Sequence, residues 1–189
     1  MIRRPPRSTQ GVSSAASDVY KRQTEESEAE MIDESLDFLE KASGQRPQGW
    51  FSPEGVESSQ TPALLAAAGV RYVCDWPNDE QPYKMTTPAG DLVSLPLFLE
   101  IDDEFALWRR RASLNSWEKM IVSAANRLHA DGQMSARHMM LTLRPWLTGQ
   151  QFRIRVLDRA LAEITKLQDI WTARGGDIVE AFAAFSAGN

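Results

Sequence analysis

With 189 residues, 42% of them hydrophobic and 25% charged, the chain has the size and balance of one globular domain with its own core. A formal charge of −5 argues against nucleic acid as a main partner, and no run approaches the roughly 20 apolar residues that a membrane span needs. The single cysteine, Cys74, excludes an internal disulfide framework and a thiolate-based zinc site.

Residues 1–23 stand apart. Five basic residues against one acid give them +4 and leave −9 for the rest of the chain. Pro5-Pro6 and Gly11-Val12-Ser13-Ser14 interrupt any regular element. The Arg/Ser content weakly suits a transit peptide, but the apolar centre of a secretory signal is missing. Asp18-Val19-Tyr20-Lys21-Arg22-Gln23 is also what GAT GTG TAT AAG AGA CAG encodes, a string that resembles a transposon-end adapter of sequencing libraries. We adopt the second reading, set 1–23 outside the fold, and expect the natural polypeptide to begin upstream.

From Thr24 to Ser43 acids are dense and Ile32, Leu36 and Leu39 recur at helical spacing, predicting an amphipathic helix that stops at Gly44. Gln45–Pro53 reads as a short extended segment. Thr61-Pro62 opens a second helix, with Thr61 as cap, and Gly69 closes it. Strands are predicted over 70–75 and 92–99, separated by a polar loop carrying Pro77, Pro82, Pro88 and Gly90. A helix over 115–130 starts at an Asn115/Glu118 capping box, and a strand follows over 138–143. A long helix over 152–168 is expected to bury Ile154, Leu157, Leu161, Ile164 and Leu167. A short strand at 170–172 and a helix over 177–186 complete the chain.

Helices alternating with short apolar strands place the chain in the α/β class, with a helix-covered parallel sheet whose chemistry collects at the C-terminal strand ends. Three of those ends are chemically loaded: Arg46-Pro47 to Trp50, Asp75-Trp76 with Asp79 beyond, and Arg144-Pro145-Trp146.

In that order they resemble three motifs of the polysaccharide deacetylases (the nodulation-protein-B homology, carbohydrate esterase family four), in the cytoplasmic subgroup with allantoinase-like members. Ser43-Gly44-Gln45-Arg46-Pro47-Gln48-Gly49-Trp50-Phe51-Ser52-Pro53 is similar to the third motif. Thr61 through Asp75-Trp76, Asn78-Asp79 and Gln81-Pro82-Tyr83 is similar to the fourth. Leu141-Thr142-Leu143-Arg144-Pro145-Trp146-Leu147-Thr148-Gly149-Gln150, with Phe152-Arg153, is similar to the fifth. The resemblance implies the C-terminal part of a distorted (β/α) barrel whose first two motifs, with the metal ligands, lie in a missing N-terminal half. It implies a zinc-type ion that activates water against an N-acetyl or related amide of a carbohydrate or small molecule.

By the same resemblance Arg46, Asp75 and Arg144 are the candidate catalytic residues, and Trp50, Trp76 and Trp146 the candidate substrate-binding ones. Against each stands a plainer role: a surface arginine, a turn-capping aspartate, packed tryptophans. Asp79 and the pair Asp102-Asp103 read as solvated or turn-forming. Arg144 departs from the family, which has a histidine general acid there; a guanidinium stays protonated and cannot pass that proton on. His138 lies too far up its strand to replace it, and His129 reads as a helix-dipole partner. Cys74 reads as a small core residue.

Three readings follow for the complete protein: a metal-dependent amide hydrolase, a ring-opening ureide amidohydrolase, or a non-catalytic binding homologue. The 189-residue chain itself is expected to bind no metal, to hydrolyse nothing and to be poorly soluble, because half a barrel bares a sheet edge. Its likeness to the cytoplasmic subgroup suggests a cytoplasmic location.

Overall fold

The computed structural model describes residues 25–187, so the reading of 1–23 lies outside the described residues. Two compact units emerge. Among the described residues, one comprises 25–76 with Tyr83–Leu95; the other comprises Pro77–Pro82 and 96–187.

The first unit is a four-stranded sheet with two helices. α1 (Glu25–Ser43) is followed by β1 (Gly49–Trp50), α2 (Thr61–Ala67), β2 (Tyr72–Val73), β3 (Tyr83–Thr87) and β4 (Gly90–Ser94). The sheet order is β1-β2-β4-β3, with β1, β2 and β4 parallel and β3 antiparallel to β4. The expected all-parallel sheet is thus mixed. The polar loop conceals β3, which pairs with β4 from Tyr83↔Ser94 to Thr87↔Gly90 around a tight Pro88-Ala89 turn. Ile32 and Leu36 of α1 pack with Leu65, Val70, Val73 and Leu92, which form this unit's core.

α2 ends as its sequence predicts. Gly69 takes φ +82°, and its N–H bonds Ala66 O while the Val70 N–H reaches back to Leu65 O. Those two bonds satisfy carbonyls the helix leaves open, and Val70 and Leu65 meet in the core. The start differs from expectation. Thr61 makes no cap for its own helix; its hydroxyl accepts from the Ser58 N–H at 2.8 Å and donates to Glu28.

The second unit is built on α3 (Leu114–Gly132) and α4 (Ile154–Ile164), with α5 (Gly175–Ala187) at the end and a π-type turn over Glu104–Arg109. Its core joins Ile101, Ala106, Trp117, Ile121, Val156, Leu157 and Ala160. Trp117 is fully buried because its indole N–H finds the Ile101 carbonyl at 2.9 Å.

Four expectations are corrected here. Ser113, not Asn115, caps α3, accepting from the Ser116 N–H at 3.1 Å. The segment 138–143 forms no strand, since its backbone makes single bonds to Glu80 O and Asp103 N rather than a ladder. Residues 170–172 form no strand either. α4 is shorter than predicted and its buried face only partly matches: Leu157 is buried and Ile164 packs on the core as expected, joined by Val156 and Ala160, whereas Ile154 and Leu161 are 37% and 42% exposed. No helix of the described residues is long and apolar enough to cross a membrane.

Candidate functional site

In the first unit β1 and β2 run parallel and end side by side. The Cys74 N–H bonds Trp50 O at 2.9 Å, which brings the residues just past each strand together. Asp75 therefore meets Ser52, whose backbone N–H and hydroxyl each donate to one Asp75 oxygen at 2.7 Å. The Trp50 indole N–H donates to the same Ser52 hydroxyl at 3.1 Å. Asp75 is only 8% exposed. Burial raises its carboxyl above the ordinary aspartate value, and the two Ser52 bonds oppose that rise. The Tyr72 ring lies over Gly49, where a Cβ would come within 2.1 Å of it.

Beside Asp75 stands Glu57, a residue the sequence does not single out. Its Oε2 is buried without a hydrogen-bond partner. Burial first, then the charge of Asp75, pushes its carboxyl up to about 7. Cys74 is buried as expected, and burial followed by the Asp75 charge pushes its thiol up to about 12.

Arg46 takes a different position. Its guanidinium is exposed and paired with Asp37 at 2.8 Å and Glu40 at 3.1 Å on the acidic face of α1. Those bonds hold its pKa above the ordinary arginine value. Among the described residues no ion pair or hydrogen bond joins it to Asp75. Trp76 is 40% exposed.

In the second unit Arg144 is enclosed by acids. Nη1 lies 2.7 Å from Asp102 and 2.9 Å from Asp103, and Nε lies 2.7 Å from Glu104. Asp103 also accepts from the Arg144 N–H at 2.8 Å and from the Thr148 hydroxyl at 2.6 Å. The expected solvated pair Asp102-Asp103 is thus a buried one, 4% and 0% exposed, and Arg144 is what makes its burial tolerable. Burial works against the guanidinium charge, but Asp102 and Asp103 outweigh it and hold its pKa above the ordinary value. Trp146 stacks edge-to-face with Trp108, ring centroids 5.9 Å apart, and both indoles are about half exposed.

The remaining candidates take structural roles. Asp79 accepts from the N–H groups of Glu80 and Gln81 in an exposed turn. His129, in the last turn of α3, bonds Gln168 O at 2.8 Å. His138 is 9% exposed, with its ring nitrogens 3.1 Å from Glu80 O and 2.7 Å from Pro96 O.

A zinc-type ion asks for three or more protein donors converging on one point. No group of three His, Cys, Asp or Glu among the described residues has that arrangement. Both histidines are committed to backbone carbonyls, and the one thiol is held protonated. The described residues do not fit the ion.

No family model and no curated protein matches the chain. Solved structures do. Puue allantoinase superposes with a TM-score of 0.79 at 24% identity, covering 86% of this chain and 55% of that one. A protein from Mycobacterium smegmatis assigned as a polysaccharide deacetylase gives 0.77 at 24%, covering 88% and 60%. One from Pseudomonas aeruginosa PAO1, similarly assigned, gives 0.77 at 23%, covering 85% and 54%. The chain therefore has the α/β fold of these allantoinase and deacetylase structures, over 54–60% of their length.

Proposed function

We propose that this chain is the C-terminal part of a metal-dependent hydrolase of non-peptide C–N bonds, acting on an N-acetylated carbohydrate or a related small amide. The observation that supports it is the Ser52–Asp75 clamp at the C-terminal tips of neighbouring parallel strands, where this class of fold keeps its chemistry. The fold likeness to an allantoinase and to two proteins assigned as deacetylases agrees with it, and equally with a ring-opening ureide amidohydrolase. The metal ligands come from residues outside 24–189, and the location is cytoplasmic. Within the chain, Asp75 supplies a fixed negative group, and the exposed indoles of Trp76 and Trp146 offer apolar faces to a sugar or amide. Arg46 acts on a second carboxylate only by leaving Asp37 and Glu40.

One observation favours the second reading, a binding homologue without turnover. Arg144 stands where the family's histidine acid is expected, and three carboxylates already occupy it. The test is acetate release and ureide ring opening by the complete gene product, with zinc and with a chelator. The hydrolase reading expects turnover that the chelator abolishes, enhanced by Arg144→His. Tight binding of the same compounds with no turnover by either form overturns it in favour of the binding homologue.

A further inference from the structure

Three carboxyl groups from three parts of the first unit share one polar cluster: Glu28 from α1, Glu57 from the segment before α2, and Asp75 at the end of β2. Two are fully provided for. Glu28 is 2% exposed and accepts from the hydroxyls of Thr61 and of Ser58, the latter at 2.7 Å. Asp75 accepts both donors of Ser52. Glu57 differs: its Oε2 is buried and no donor reaches it, and its side chain hydrogen-bonds the Asp75 carboxyl. Among the described residues no lysine or arginine forms an ion pair with any of the three.

A carboxylate oxygen removed from water and set beside another carboxylate meets two penalties at once, desolvation and like-charge repulsion. One proton removes both and adds the missing donor. It belongs on Glu57, because the two Ser52 bonds favour the ionised form of Asp75 and Glu57 has no comparable donor.

We propose that Glu57 is a positioning residue for Asp75: the two carboxyl groups hold one proton between them, carried by Glu57, and that proton keeps the Asp75 carboxylate fixed against Ser52 at the strand tips. The groups facing Glu57 are Asp75 and, more weakly, Glu28; Cys74, next to Asp75, stays a neutral thiol. Burial and these two acids act in one direction, which is why the Glu57 carboxyl rises to about 7. Deprotonation near neutrality then sets two charges against each other and loosens Asp75 from its clamp. The inference uses the proposed hydrolase only for its consequence at the active centre; the shared proton is tested without turnover.

The test is a carbon-13 NMR titration of the glutamate carboxyls in this chain, together with the Ser52 amide resonance. The expected result is one glutamate titrating near neutrality, absent in Glu57→Gln, with the Ser52 amide moving at the same midpoint. Glu57 titrating together with the exposed glutamates overturns the proposal. Denaturation gives a second readout. Gln donates where the protonated Glu does, so Glu57→Gln should match wild type near about pH 4 and exceed it near about pH 8. A gap between the two that does not change with pH also overturns it. A complete protein that hydrolyses nothing while Glu57 titrates near neutrality sinks the hydrolase reading and leaves the shared proton standing.

Discussion

Arg144 grips Asp103 twice, its backbone N–H donating to Oδ2 at 2.8 Å and its Nη1 to Oδ1 at 2.9 Å. Asp103 has no exposed surface, so the second grip is what neutralises a buried charge. Removing one partner of such a pair typically costs about 3–5 kcal/mol. Arg144→Ala should lose an amount of that order in urea denaturation, and Arg144→Lys should recover only part, lacking the fork that also reaches Glu104. Asp103→Asn in the Arg144→Ala background should restore stability, which a double-mutant cycle reads as strong coupling. Additive effects would show that the pair is not a unit.

Gly149 is a steric necessity of the turn that carries Trp146. A Cβ there would lie 2.4 Å from the Pro145 carbonyl oxygen, which is backbone and cannot swing aside. Gly149→Ala should destabilise by about 1–3 kcal/mol. It should also separate Trp146 from Trp108, visible as a change in the near-ultraviolet circular dichroism that the indole pair produces. A variant with wild-type stability and spectrum would contradict this.

His138 joins the 77–82 segment to Pro96, its backbone N–H donating to Glu80 O at 3.0 Å and its Nε2 lying 2.7 Å from Pro96 O, and it stacks edge-on with Phe98, ring centroids 5.7 Å apart. His138→Ala leaves the buried Pro96 carbonyl without that donor, for about 1–3 kcal/mol. Hydrogen exchange should report faster opening around Glu80 and Gln81, whereas unchanged protection there would argue against the link.

The pH profile has two limbs of opposite origin. Asp91, Glu118 and Asp177 have pKa values lowered by Lys84, Arg159 and Arg174. A lowered carboxylate adds stability above its unfolded value and loses it as pH falls, so these exposed pairs form a shallow acid limb that salt weakens. Glu57 is raised from 4.5 to about 7, so its contribution is full below the ordinary glutamate value and is lost as pH rises through about 7. Stability should peak on the acid side of neutrality. Glu118→Gln should flatten the acid limb alone; parallel loss in both proteins would contradict the assignment.

Local signals located the helices of this chain well and its long-range pairs poorly. Gly69 and the Ile32–Leu36 spacing carry their own physics, and α1 and α2 follow from them. Pro88 and Gly90 read as loop, yet they frame a hairpin turn, because the same residues punctuate both. The apolar run 138–143 looked like a strand, but a strand exists only where a neighbour offers a ladder. In α4 the alternatives Ile154/Leu161 and Val156/Ala160 are all small or apolar, so composition could not choose the inward face. Asp102-Asp103 read as solvated because their partner lies 41 and 42 residues away. Asp75 was visible as a strand-end acid. Glu57, an acid in a serine-rich stretch, carried no signal until the fold set it beside Asp75.

On the proposed reading the chain keeps the strand tips of a hydrolase whose metal ligands lie elsewhere, so it should hold no ion of its own. Zinc retained after gel filtration, counted by elemental analysis of this 189-residue chain, measures that directly. We predict a stoichiometry near zero, unchanged in Asp75→Asn. A value near one zinc per chain, lost on substitution of Glu57 or Asp75, would contradict it.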